Sequence, residues 1–404
     1  MSILKSYDVA VVGGGAAGLA AAASAGRRGR SIVICDRMPR LGKKLLISGG
    51  GRCNLLNENL APEAFTTTNR DLVVSVFGRF GKEAIRNFFK DLGLEMVSEG
   101  ARVFPAANQA SSVLKVLELE VRRLGVAVET GFEVSKVDRA GASFVVGTKE
   151  RRKIEARSVI LAGGGKSYPA LGSNGSSYEL AERFGHHIVP PVPSAVPVLV
   201  KDKLCHLLQG QRIRARATSE IGGNAAQTAE GEVLFTQYGL SGTAVLDVSE
   251  SLSIAINREG KTNAAIVLDL VPFMTKEGLA VEFSRRIKGG WPAGDLAAGI
   301  LPEKFGPAVR ELISKGDRDP GPAARTLAAA LKEKRFSVHG TRGWNEAEFT
   351  SGGVHAQELD PWTLESRLQK GFYLAGEILD VQGRRGGFNL AWAWASGFVA
   401  GLAP

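Results

Sequence analysis

Asp8-Val9-Ala10-Val11-Val12-Gly13-Gly14-Gly15-Ala16-Ala17-Gly18 decides the fold of this chain. Residues 8–12 are an apolar run of strand length, residues 15–28 are alanine-rich as a helix prefers, and residues 31–35 are apolar again. Strand, tight turn, helix, strand is the opening of a doubly wound parallel α/β sheet. The glycines fit G-x-G-x-x-G. Gly13 permits the turn, Gly15 lets backbone approach a pyrophosphate, and Gly18 lets helix and strand pack closely. Free N–H groups at the helix start, near Ala16 and Ala17, favour negative charge. Asp36 ends the second strand at the spacing of a carboxylate that accepts from a ribose hydroxyl, and Arg37 follows it. The turn predicts a bound dinucleotide.

Outward from this opening, helical periods are expected at residues 82–92 and 111–124. Strands are expected at 127–130, 133–137, 143–148 and 157–162, the last running into Gly163-Gly164-Gly165. After Pro190-Pro191-Val192-Pro193 the texture alternates as strands do, without long helical periods. Residues 276–334 then read as helical, punctuated by Trp291-Pro292 and Asp319-Pro320. Strand signals return from residue 335, and 372–401 reads as strand, turn and a long helix of small residues. The expected layout is a Rossmann-like nucleotide-binding domain at 1–192 and 335–404, a β-rich insert at 193–274 and a helical insert at 275–334.

Three further segments choose between dinucleotides. Gly42 to Asn54 is a second glycine-rich stretch; Ser48, Gly49, Gly51, Cys53 and Asn54 offer backbone to an extended ligand, and Lys44 and Arg52 add positive charge. An NAD dehydrogenase needs no such segment there. The apolar strand before Ala162, Gly163 and Gly164 suits one that rises beneath a flavin, after a meander whose strand carries Val134 to the adenine. At the other end of the chain, Gly376-Glu377 directly follows a strand, and Gly386-Gly387-Phe388-Asn389 opens the last helix. Glu377 can accept from a ribityl hydroxyl, and the N–H groups of that helix can face the ring edge that becomes anionic on reduction. Together these predict FAD.

At these residues the chain resembles the bacterial NAD(P)/FAD-dependent oxidoreductases, the aminoacetone-oxidase-like flavoproteins. The shared runs are GKKLLISGGGRCN at 42–54, SYPxxGSxG at Ser167 to Gly175, LFTQYGLSG at Leu234 to Gly242, Phe349 to Val354, and LAGEILDVxGxxGGFN near the end. The resemblance covers essentially the whole chain and implies noncovalent FAD and a three-part architecture. Gln237 stands where relatives commonly carry histidine, Ala391 where glutamine is common, and Thr243 replaces a frequent proline.

The bulk composition agrees with a soluble enzyme. The 404 residues, 44% hydrophobic and 23% charged, exceed what one core usually serves. Three cysteines with no CxxC pair and five histidines without ligand spacing argue against a disulfide framework, a dithiol relay and a metal. Lys5, the following apolar stretch and Ala23-Ser24-Ala25 imitate a secretory signal, but the glycine cluster breaks it. No stretch approaches the roughly 20 apolar residues of a membrane span, so a cytoplasmic, membrane-free protein is expected. A net charge of +10 raises nucleic acid as a partner, and the alternating Arg212, Arg214 and Arg216 could serve it; no nucleic-acid-binding motif accompanies them, so a solvated edge strand is the expectation.

The flavin carries the redox chemistry while the protein binds and orients, so the reaction class is readable and the substrate is not. Tyr168 and Tyr178 are candidate proton donors that could equally anchor their loop. No catalytic residue is assigned. The expected activity is reduction of a small organic substrate with transiently bound NAD(P)H; a flavin oxidase of a small amine and a flavin-containing RNA-associated protein stand beside it.

Overall fold

Apolar β-branched runs flanked by an alanine-rich helix bury a parallel sheet on both faces. This is the frame of the first of two units in the chain, residues Met1–Pro191 with Phe349–Pro404; the second is Val192–Glu348. The computed structural model describes residues 5–314 and 319–404. Residues 1–4, in the expected first domain, and 315–318, in the expected helical insert, lie outside them.

In the first unit, β1 (Ser6–Val12) lies between β2 (Ile32–Asp36) and the strand Lys153–Leu161, parallel to both. Ala127–Thr130 extends the sheet beyond β2, and Ser143–Thr148 and Val134–Ala140 extend the other side as an antiparallel meander. Lys153–Leu161 serves two neighbours on one edge. Its residues 153–156 pair with the meander, while Val159, Ile160 and Leu161 pair in parallel with Phe372, Tyr373 and Leu374 from the far end of the chain. A strand from near the C-terminus, Phe372–Leu374, thus joins the sheet that the N-terminal strand opened.

The helix α1 (Ala16–Arg27) covers this sheet and packs against the C-terminal helix Phe388–Leu402. The small residues of that last helix allow close packing as expected, but the tightest approach is to α1. A Cβ on Gly397 would stand 2.2 Å from the Ala17 carbonyl oxygen, and one on Gly401 2.3 Å from that of Ala21.

The second unit is a closed antiparallel barrel. Its strand order is Val198–Val200, Gly239–Ser241, Asn224–Thr236, Arg212–Ile221, Ala264–Asp269 and Lys334–Thr341, the last pairing back to the first. Three expectations change here. Lys334–Thr341 belongs to the barrel, so the chain returns to the first unit at Phe349 and not at 335. The helices Lys276–Lys288 and Pro320–Lys332 share one core with the barrel, where Phe283 and Leu327 join Phe235 and Phe336. Inside the stretch expected to be β-rich without long helical periods, Thr243–Ser253 is a helix that buries Ala244, Val245, Val248 and Leu252 at helical spacing. Valine and serine, poor helix formers, hid that period.

Arg212, Arg214 and Arg216 do lie exposed on one face, opposite buried Ile213, Ala215 and Ala217. Their strand is not an edge. It pairs on both sides, and the arginines meet Glu232 and Glu230 across the ladder. Closure removes the edge, and the two acids pair with all three arginines, offsetting most of the stripe's charge.

Candidate functional site

The first unit gathers the predicted site residues around the ends of β1 and β2. Gly13 has φ +103°, and a Cβ there would lie 2.5 Å from the Ala162 carbonyl oxygen. A Cβ on Gly18 would lie 1.8 Å from the Gly13 carbonyl oxygen. Gly15 is different: no protein atom comes within 4 Å of a Cβ built on it, and it opens α1 with no side-chain cap. Two glycines are therefore demanded by the turn itself. The third faces open space before the free amides of Ala16 and Ala17, where an anion is favoured.

Asp36 is buried, and its carboxylate accepts from the Gly14 amide at 2.6 Å and the Met38 amide at 2.7 Å. Each oxygen keeps a further acceptor site for a ribose hydroxyl. Phe132 donates its amide to the Asp36 carbonyl at 2.9 Å, which brings the strand beginning at Val134 beside the end of β2. Arg37 pairs with Glu133 at 3.3 Å, and its Nη1 is buried with no hydrogen-bond partner. A buried donor without an acceptor is costly, and an adenine edge would satisfy it.

The glycine-rich stretch starts with the short helix Lys43–Ile47 and turns through Gly49, Gly50 and Gly51, all at positive φ. Ser48 donates to the Leu45 carbonyl at 2.6 Å, and a Cβ on Gly49 would meet the Asn54 amide at 2.9 Å. Arg52 is turned away from this role. Its guanidinium lies 4.1 Å from the Phe104 ring centroid and bonds Glu99 and Asn108. Cys53 is fully buried, and burial pushes its thiol up to about 12. Cys35 and Cys205 are buried and also pushed up to about 12. Thiolates are the reactive form, so the folded protein should resist a thiol reagent at pH 8 and react at all three positions once denatured; labelling counted by mass spectrometry checks this.

Lys44 and Glu377 come together from opposite ends of the sequence. The Lys44 ammonium donates to the Glu377 carboxylate at 2.6 Å and to Ser167 Oγ at 2.5 Å. The other oxygen of Glu377 accepts from the Thr350 amide at 2.8 Å and from Ser167 Oγ at 3.2 Å. Three donors, Lys44, Ser167 and the Thr350 amide, converge on one partly exposed carboxylate. Neither Ser167 nor Thr350 was singled out by sequence, although both lie in runs shared with the resembling family.

Gly376 lies at positive φ, and a Cβ there would also meet that of Ala17 at 2.7 Å. Gly387 opens the last helix at φ +102°, and its missing Cβ would stand 2.8 Å from Asn54 Oδ1. That oxygen is buried and has no hydrogen-bond partner. Asn389 is occupied, bonding both the amide and the carbonyl of Gly383, while Phe388 is buried edge-on against Phe65. Gly163 and Gly164 admit Ser177 and Ser173, whose hydroxyls would lie 1.9 and 2.7 Å from added Cβ atoms. Tyr178 is buried with no partner for its hydroxyl; burial, with Glu377 and Asp380 adding to it, raises its pKa, which suits an anchor.

A second polar cluster imitates catalysis. His186 stands 2.8 Å from both Glu358 Oε2 and Ser366 Oγ, the order of an acid–base–nucleophile relay. Ser366 is 5% exposed and accepts from the Leu368 and Gln369 amides, so the cluster ties loops together.

Three features test the fit of FAD: open space at Gly15, the unsatisfied Arg37 Nη1 beside Val134, and the unsatisfied Asn54 Oδ1 beside Gly387. An extended dinucleotide with phosphates in the middle and polar rings at each end matches that pattern.

Comparison with known proteins agrees. The family described as HI0933-like protein Rossmann domain matches residues 7–403. A 3-dehydro-bile acid delta(4,6)-reductase of Clostridium scindens is 35% identical over 404 residues, 98% of each chain. A ribosomal RNA dihydrouridine synthase of Escherichia coli is 28% identical over 407 residues, 98% of this chain and 97% of that one. Among solved structures, a 3-ketosteroid delta1-dehydrogenase from Sterolibacterium denitrificans aligns with a TM-score of 0.52 at 14% identity, covering 98% and 99% of the two chains, which shows a common fold.

Proposed function

The chain belongs to the HI0933-like Rossmann family of FAD-dependent oxidoreductases, and from that premise we propose that it reduces a carbon–carbon double bond conjugated to a carbonyl. The observation that carries this is shared chemistry between two full-length relatives. A 3-dehydro bile acid with 4,6 unsaturation is a dienone, and dihydrouridine arises from uridine by saturating the bond next to a ring carbonyl. Saturating a carbon–carbon double bond in either compound takes up two hydrogens, the equivalent of a hydride and a proton.

Bound and reduced, FAD would supply that hydride, with NAD(P)H as the proposed source of its electrons. Gly13, Gly15, Ala16, Ala17 and Gly18 would hold the pyrophosphate, with Asp36 on the ribose and Arg37 and Val134 at the adenine. Gly49, Gly51, Asn54 and Gly387 would hold the ring end. Glu377 would share its carboxylate between Lys44 and a ribityl hydroxyl, so Lys44 fixes the acceptor before the cofactor arrives. We place the reaction in the cytoplasm; among the described residues no helix is long and apolar enough to cross a membrane.

The test uses the FAD-loaded chain, reduced without oxygen. Adding a 3-oxo-4,6-diene steroid or a ribosomal RNA transcript should restore the yellow flavin band, with product mass showing two added hydrogens. NADH and NADPH, mixed separately, identify the donor by the speed of bleaching. If neither acceptor restores the band, while an amine bleaches it and oxygen returns it with peroxide, the reductase reading is wrong.

A further inference from the structure

The barrel unit carries a surface groove that the cofactor site leaves unused. It measures about 470 Å³ and is lined by Lys201, Lys203, His206, Gln237, Tyr238 and His339, with Leu199 on its wall. Its origin is local. In the ladder, Leu199 sits opposite Gly239 on one side and Gly340 on the other, so neither neighbouring strand contributes a side chain at that level. The strand then ends, Asp202 caps the short helix Lys203–Leu207 through the Leu204 amide at 2.8 Å, and two lysines flank the cap.

The charges around this groove do not cancel. Asp202, its acid, is already paired with Lys334 at 2.9 Å. Among the described residues neither Lys201 nor Lys203 makes an ion pair, and His206 and His339 are exposed beside them. The arginine row on the same barrel is the opposite case, because Glu230 and Glu232 answer it. Tyr238 adds a half-buried aromatic ring; its neighbour Arg342 lies 4.8 Å from the ring centroid and gives its charge to Glu346.

We propose that this groove docks single-stranded RNA, with Lys201 and Lys203 on successive phosphates and a base against Tyr238. The inference rests on the reading above and narrows it, taking the conjugated double bond to be that of a uracil in RNA. Two mobile ammonium groups and one aromatic ring, without a glycine-rich phosphate loop, suit a continuing strand better than an enclosed mononucleotide. Lysine tolerates any phosphate spacing, and stacking tolerates any base, so the groove supplies hold without sequence choice.

The experiment titrates the full FAD-loaded chain into fluorescently labelled oligouridylate at several salt concentrations and follows anisotropy. Parent protein should bind with a steep salt dependence. K201Q/K203Q should weaken binding about tenfold and flatten the log–log salt slope by about 1.4, since each single-strand phosphate contact contributes about 0.7. Y238L should weaken binding roughly tenfold with the slope kept, as loss of a stacking platform would. FAD content equal to that of the parent shows that each variant is folded. Variants that bind like the parent overturn the groove, and if the parent still reduces uridine in RNA the reductase reading survives alone. Full displacement of the oligonucleotide by NADPH at concentrations that bleach the flavin would assign the groove to the electron donor and overturn the proposal.

Discussion

Gly15→Ala is expected to leave the melting temperature of the cofactor-free protein where it is and to weaken FAD binding a hundredfold or more. The backbone at Gly15 has φ −82° and ψ −166°, which alanine adopts without strain, and no protein atom lies within 4 Å of the new methyl. The only neighbour the methyl can meet is the ligand. Overpacking of a tight contact costs about 1–3 kcal/mol, and about 2.7 kcal/mol is a hundredfold in Kd. Gly18→Ala gives the contrast. Its methyl would stand 1.8 Å from the Gly13 carbonyl oxygen, so β1 and α1 must separate whether or not FAD is present. That variant should melt lower as the apoprotein, by the equivalent of about 3 kcal/mol. Fluorescence-quenching titration of FAD, beside calorimetry of the apoprotein, separates the two. A Gly15→Ala protein that binds FAD like the parent would remove the pyrophosphate from this turn, and the dinucleotide reading with it.

That contrast also marks what a sequence can carry. G-x-G-x-x-G fixes φ and spacing within a few residues, so the turn, β1, α1 and β2 were legible down to Asp36. The same local logic found the strand expected at 157–162, which spans Lys153–Leu161, and the last helix, because an apolar run ending in glycines has few other uses. Side-chain direction was less legible. Arg52 looked like a cofactor cation because it follows three glycines, yet Phe104, Glu99 and Asn108 draw its guanidinium away. Asn389 looked like a cofactor contact at a helix start, yet it clamps Gly383. In both cases the deciding partner belongs to a separate local element that no periodicity announces. The Glu377 cluster shows the limit most plainly: Ser167 reaches it across 210 residues of sequence and Lys44 across 333. The barrel failed for a different reason. Alternation identifies a strand without saying which sheet it joins, so residues 335–348 were given to the wrong unit.

Gly397→Leu carries the second large effect, because one seam holds both ends of the cofactor cradle. The Gly397 face of the last helix lies on the Ala17 carbonyl, and Gly401 lies on that of Ala21, so even a methyl at either position forces the helices apart. A leucine there should cost about 3 kcal/mol, which for a unit of this size lowers the melting temperature by about 6–12 °C. The more informative reading is FAD affinity. Ala17 lies in the first turn of α1, two residues after Gly15, and it also bears on Gly376, one residue before Glu377. Gly387 starts the helix that Gly397 anchors. A seam pushed open therefore moves the pyrophosphate turn away from Glu377 and from the Gly387 helix start together. FAD should weaken at least tenfold at a temperature where the variant is still folded. A variant that melts early but keeps parental affinity would mean that the seam stabilises the unit without setting the distance between its two cofactor-facing helix starts.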